Sequence, residues 1–138
     1  MLPNSPPGSA DIGALERKAI KLRRHMLSMA RGHGQGYIGQ GLGIADTLAA
    51  LYFHELRYDP HNLAWADRDR LLMSTGHYSI ALWAALAEVG IIPVEELATY
   101  GADNSRLEMS TLDLRRSRRP MGGSDSGSLP AACVAGRM

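Results

Sequence analysis

Histidine is the side chain best suited to moving protons near neutral pH. One of the five in this chain, His77, stands within Ser74-Thr75-Gly76-His77-Tyr78-Ser79. The apolar run Leu71-Leu72-Met73 precedes it and an alanine-rich helical pattern follows. A histidine displayed behind a glycine at a strand-to-helix turn is where layered α/β folds place their chemistry. A second turn, Gly34-Gln35-Gly36-Tyr37-Ile38-Gly39-Gln40-Gly41-Leu42-Gly43, opens another helix. Glycines accept positive φ and let a ligand or a second backbone approach closely. The helix behind them aims free N–H groups at whatever docks there. Two readings of this turn stay open: a ligand cradle, or a tight helix-to-helix connection whose glycines serve packing.

Other chemistries are excluded on spacing. Gly34-x-Gly36-x-x-Gly39 matches the dinucleotide fingerprint formally. That fingerprint needs a strand before it and an acid on a strand about 20 residues later. Here a charged helix precedes it and Asp59-Pro60 follows the next helix. No Gly-Lys-Ser/Thr marks a P-loop, and no His-Glu-x-x-His or comparable pairing marks a metal site. His54 reads as a core or surface histidine, and His25 and His61 as solvated.

These residues have to be positioned by a chain of 138 residues, about one domain by length. Its 45% hydrophobic content suffices for a core, and no stretch is long enough to span a membrane. Residues 1–10 read as a flexible lead-in without signal-peptide character. The single Cys133 cannot form an internal disulfide, so the cytosol is the expected compartment. The net charge of +1 hides a division. Five arginines against Asp125 give residues 114–138 a charge of +4, leaving −3 on residues 1–113. Composition shifts at the same point toward Arg, Ser, Gly, Pro and Ala. The domain is therefore expected over residues 11–113, with a basic, low-order tail over 114–138. No aromatic residue interleaves the tail's arginines, which argues against nucleic-acid binding.

Ile12, Leu15, Ala19, Leu22, Met26 and Met29 form one apolar stripe on a helix over residues 11–31, capped by Ser9 or Asp11 and ended by Gly32. Arg17, Lys18, Lys21, Arg23 and Arg24 lie off the stripe and read as a solvated face. A second helix, 44–56, is apolar around most of its circumference and is expected to be buried on several sides. Residues 71–73 read as a strand from their flanks. A third helix, 80–89, ends at Gly90 in a left-handed cap, and a short fourth helix over 94–100 follows Pro93.

In order and spacing, residues 22–110 resemble the start of a transketolase. Gly39-Gln40-Gly41-Leu42-Gly43-Ile44-Ala45-Asp46-Thr47-Leu48-Ala49-Ala50-Leu51-Tyr52-Phe53 is similar to the family's Gly-Gly-Ser-Leu-Ser-x-x-Asp-x-Leu-Ala-Ala-Leu-Tyr-Phe. Leu56-Arg57-Tyr58-Asp59-Pro60 and Trp65-Ala66-Asp67-Arg68-Asp69-Arg70 follow in register, and residues 74–79 resemble Ser-Lys-Gly-His-x-Ser. Ser105-Arg106-Leu107-Glu108-Met109-Ser110 looks like the form found where the enzyme is split into two polypeptides. The resemblance implies an α/β fold of the thiamine-diphosphate-binding type, incomplete here, with its N-terminal helices and first strands only. It implies transfer of a two-carbon ketol unit from a ketose phosphate to an aldose, with thiamine diphosphate and Mg²⁺. The implied partner is a C-terminal half-subunit, which supplies the glutamate that activates the cofactor, in a dimer of such pairs.

The same resemblance assigns His77 to catalysis, Gly39, Gly41, Ser74, Gly76 and His77 to the cofactor, and Tyr37 and His77 to the substrate. Two departures qualify it. The family's Gly-His-Pro reads Gly36-Tyr37-Ile38, and tyrosine, with a pKa of about 10, is a poor proton shuttle at neutral pH. After Asp113 the family's text stops, although Gly122-Gly123-Ser124 echoes its Gly-Ser turn, so the Mg²⁺ ligands are expected beyond this sequence. A change of reading frame near Leu114 and an early stop would produce that switch. The chain is expected to be catalytically incomplete alone; the competing reading is a non-catalytic assembly or binding fragment without cofactor.

Overall fold

The computed structural model describes residues 10–110. The basic tail, Cys133, the composition boundary and nearly all of the lead-in lie outside the described residues. The first helix, α1, spans Ile12–His33, and Asp11 caps it by accepting a hydrogen bond from the Ala14 N–H at 3.1 Å. Of the predicted stripe, Ala19, Leu22, Met26 and Met29 are buried, Leu15 is half-buried, and Ile12 in the first turn is exposed. It runs two residues past the expected stop because Gly34, not Gly32, takes the left-handed conformation (φ 85°) and closes the last turn onto the Ala30 carbonyl.

The second helix, α2, spans Ile38–Ala50, six residues earlier at its start than the glycine pattern suggests. Gly39, Gly41 and Gly43 therefore lie inside a helix, each at about 1 kcal/mol of lost propensity relative to alanine. Packing outweighs that loss at Gly41. A Cβ there would stand 2.8 Å from Ile80 Cγ2 and 3.1 Å from Met26 Sδ. The helix then widens into a π-turn, Leu51–Glu55, closed by Leu56 N–H to the Leu51 carbonyl at 2.8 Å. Within this stretch Tyr52 is buried and accepts, through its carbonyl, a hydrogen bond from the Tyr58 hydroxyl at 2.9 Å. Burial pushes the Tyr58 phenol up to about 12.

The connection from 56 to 75 is held by local polar contacts. Arg57 N–H donates to Asp69 Oδ2 and Asp69 N–H to the Arg57 carbonyl, both at 2.8 Å. The buried Arg68 guanidinium donates to the Leu63 carbonyl at 2.8 Å. The expected strand at 71–73 does not form, and the described residues contain helices and turns but no strand. A strand exists only by pairing, and this short run finds no neighbouring extended backbone within residues 10–110. The α/β reading is corrected accordingly for this region.

A 3₁₀ turn, Gly76–Tyr78, leads into α3, Ser79–Glu88, which is buried at every position from Ser79 to Ala87. Gly90 adopts φ 80° just after it, as expected. The segment Val94–Thr99 is 3₁₀ rather than α-helical, with Glu95 and Glu96 in its first turn. The core where these elements meet includes Leu22, Met26, Leu48, Ile80, Trp83, Leu86, Tyr100 and Leu107.

The basic face of α1 is solvated at Arg17, Lys21 and Arg24, as expected, but part of it is also drawn into a seam of ion pairs. Lys18 Nζ lies 2.9 Å and Lys21 Nζ 3.2 Å from Glu88 Oε1, and His25 Nε2 lies 3.3 Å from Glu88 Oε2. Arg23 pairs with Asp46. His25 is thus half-buried on a carboxylate, correcting its solvated reading; His61 is exposed as expected. Glu88 occupies the negative end of α3, where a carboxylate is unfavourable without compensating cations. Burial alone would raise its pKa, but hydrogen bonds from Lys18, His25 and Lys21 hold it below the usual carboxylate range.

A depressed folded-state pKa contributes stability above the unfolded value of about 4.3, lost as pH falls through the folded value. Glu88→Gln should therefore unfold more readily than the parent above about pH 5, and the two should converge in more acidic solution. Thermal denaturation of both proteins across pH checks this; a difference that does not change with pH would mean the carboxylate charge is not what holds the seam.

Candidate functional site

The starts of α2 and α3 meet in space. Tyr37 immediately precedes α2 and His77 lies in the turn that opens α3. Their rings are 4.4 Å apart between centroids and tilted by 57°. His77 is exposed and Tyr37 half-buried, so the imidazole faces solvent with one flank against the phenol. Tyr37 does not cap α2 with its side chain. By helix geometry the first N–H groups of α2 lack intrahelical partners, which suits an anion.

Tyr37 also lines an open depression of about 440 Å³ whose other walls are Gly101, Ala102, Glu108, Met109 and Ser110. That far wall is fastened to α3. Trp83 Nε1 donates to the Glu108 carbonyl at 2.9 Å, Ser79 Oγ to the Met109 carbonyl at 2.5 Å, and Leu107 beside them is fully buried. Arg106 grips Glu96 through two hydrogen bonds of 2.5 and 2.6 Å. Gly101 takes φ 70°, and the His33 ring fills the space where a Cβ would stand, 2.7 to 2.9 Å away. His33 also meets the Tyr100 ring edge-on at 6.0 Å. Burial raises the Tyr100 phenol pKa; the Ser79 hydroxyl lowers it in part, and nearby Tyr37 raises it further.

Of the residues singled out from sequence, the structure brings Tyr37 and His77 into contact and buries Gly76 beside His77 at the start of the turn. Gly39 is exposed in the first turn of α2 with open space where a side chain would stand. Gly41 is two residues on but buried, and its bare face rests on Ile80 and Met26. Ser74 is exposed, three residues before His77. Sequence reading did not find His33 or Gly101, and it picked out residues 105–110 as a family motif without showing that they wall this depression. Their juxtaposition with α1 and α3 joins segments some 25 to 74 residues apart, and no local pattern announces it.

Among the described residues no three or more His, Cys, Asp or Glu side chains converge to hold a metal ion. No described helix is long and apolar enough to cross a membrane. The arrangement can therefore bind an anion at the start of α2 and exchange a proton through an exposed imidazole whose orientation a tyrosine constrains.

Comparison with known proteins identifies the family. Residues 16–108 match the family model for the transketolase thiamine diphosphate binding domain. The chain is 58% identical over 97 residues to an uncharacterized transketolase family protein of Sinorhizobium fredii, covering 70% of this chain and 35% of the relative. It is 42% identical over 102 residues to a 6-deoxy-6-sulfo-D-fructose transketolase subunit from a Clostridium species, covering 74% and 37%. It is 34% identical over 102 residues to an apulose-4-phosphate transketolase subunit from Actinobacillus succinogenes, covering 73% and 37%. The chain thus spans little more than a third of the length of these relatives. Because the family model covers most of its residues, with Tyr37 and His77 both inside the match, the chain belongs to the transketolase family, in its thiamine diphosphate binding domain.

Proposed function

We propose that this chain is part of the N-terminal subunit of a split transketolase. It would act with a C-terminal half-subunit, in a dimer of such pairs in the cytosol, and move a two-carbon ketol unit from a ketose phosphate to an aldose. The observation that carries this reading is the Tyr37–His77 contact at the joined starts of α2 and α3. The Clostridium and Actinobacillus relatives are named as transketolase subunits, which supports the split assembly.

The described residues fit the organic cofactor in part. The uncapped start of α2, with Gly39 leaving open space, suits a diphosphate, and His77 with Gly76 and Ser74 would border the same opening. Gly41 would contribute indirectly, by letting α2 lie close to Ile80. Thiamine diphosphate, when bound, supplies the carbon centre that carries the two-carbon unit. His77 would hold or pass a proton at a substrate oxygen through its ring nitrogens, and Tyr37 would fix the ring plane and orient the sugar with its hydroxyl. Magnesium finds no ligand set among these residues. It requires oxygen ligands in strict geometry, so its site would lie elsewhere in the assembly.

Titration of thiamine diphosphate and Mg²⁺ into the chain with and without a C-terminal half tests the reading. The chain alone should show no ketol transfer. Saturable cofactor binding should appear only in the assembly. Turnover by the chain alone would sink the division of labour, and an assembled pair that binds no cofactor would favour a non-catalytic assembly fragment.

A further inference from the structure

Tyr100 is only 2% exposed, yet its hydroxyl finds no hydrogen-bond partner among the described residues. A buried hydroxyl left without a partner costs stability, and in a native fold each such group asks for a reason. The ring has its own contacts: it packs in the core and meets the His33 ring edge-on. Phenylalanine would serve those contacts equally well. The oxygen is the atom without a role in the fold.

Its location supplies one. The hydroxyl lies beside Gly36, 3.7 Å from where a Cβ would stand. Gly36 comes just before Tyr37, whose side chain leaves α2 uncapped, and two residues before Ile38, where that helix begins. By helix geometry the N–H groups of Ile38, Gly39 and Gln40 have no acceptor within α2, whereas the Gly41 N–H already donates to the Tyr37 carbonyl at 3.0 Å. On its other side, Ser79 stands close to the phenol but gives its proton to the Met109 carbonyl. The phenol thus lies between the stretch of chain that carries Tyr37 and the one that carries His77, and Gly101, the next residue, lines the depression.

We propose that Tyr100 is a positioning residue for an oxyanion at the start of α2, its hydroxyl completing, through one bridging water, the donor set that the free amides begin. The oxyanion is the diphosphate of the cofactor, so the inference rests on the function proposed above and adds this residue to it. A water has to bridge because the hydroxyl is sealed from the surface, and a bridged hydrogen bond is nearly as favourable as a direct one. Donors converging on a charged acceptor are worth more than the same bonds between neutral groups, which offsets the cost of burying the hydroxyl.

Tyr100→Phe deletes one oxygen and keeps the ring. In the enzyme completed with the rest of its domain and the partner half, and without cofactor, the variant should melt at the temperature of the parent or above it. Titrated with thiamine diphosphate and Mg²⁺, it should bind about tenfold more weakly, and inorganic pyrophosphate used as a competitor should lose affinity by the same factor. A lower melting temperature would make the hydroxyl part of the fold, and an unchanged affinity would make it idle. Either overturns the proposal, as would a loss confined to thiamine diphosphate. A parent that binds no thiamine diphosphate would fail the underlying function and this inference with it, an outcome visible before any variant is made.

Discussion

Replacing His77 with alanine, in an enzyme completed with the rest of its domain and the partner half, is expected to lower kcat by about 10²–10⁴-fold. Affinity for thiamine diphosphate should change much less. The reasoning rests on placement: the side chain is exposed, its ring contact is with Tyr37, and it does not belong to the core. Its loss should therefore leave the fold intact and remove a proton-handling group. Tyr37→Phe keeps the ring that orients His77 and deletes the hydroxyl, so it should raise KM more than it lowers kcat. Steady-state kinetics with separate cofactor binding reads both. An unchanged kcat in His77→Ala would reduce the imidazole to a packing partner of Tyr37.

Gly41→Val is expected to destabilise the domain by about 1–3 kcal/mol. The first added carbon would stand 2.8 Å from Ile80 Cγ2, closer than real Cβ contacts come, and branching adds further atoms to the same space. Neither Ile80 nor Met26 can retreat easily, because both are fully buried. Gly39→Ala, two residues earlier, is the contrast. Nothing lies within 4 Å of its Cβ position. The gain in helix propensity should therefore leave stability equal or higher by up to about 1 kcal/mol. If Gly39 faces the diphosphate, the same change should weaken cofactor binding in the assembled enzyme. Urea unfolding of the two variants separates them; equal stability would mean α2 does not lie on α3 at Gly41.

These two glycines also show what could be read in the sequence and what could not. Spacing revealed α1 and narrowed its cap to Ser9 or Asp11, since both depend on residues within one or two turns. Gly90 was legible for the same reason. The start of α2 was not, because glycine is a weak helix former and its use at Gly41 depends on Ile80, 39 residues later. The π-turn at Leu51–Glu55 has no local signature. Residues 71–73 carry strand-like apolar character, but pairing requires a partner that residues 10–110 do not provide.

The site followed the same division. His77 behind Gly76 could be picked out from local pattern, and family resemblance added Tyr37. Their contact joins residues 40 positions apart, which no periodicity encodes. The wall from 101 to 110 depends on Trp83 and Ser79 reaching carbonyls 25 and 30 residues on. The fate of the basic side chains of α1 was equally hidden, because Glu88 lies 63 to 70 residues from Lys18, Lys21 and His25.

His77 sits two residues before Ser79, the first position of the helix that the core surrounds on every side. The exposed imidazole and the best-buried helix among the described residues are thus almost one unit. Local opening that spreads two residues past the histidine would reach Ser79, and with it Ile80 and Trp83, which hold both the core and the far wall of the depression. A selection experiment that scores only turnover would consequently rank buried α3 positions beside His77 itself. Telling the two apart requires an abundance score for every variant, since in this domain a lost reaction and a lost fold begin at neighbouring residues.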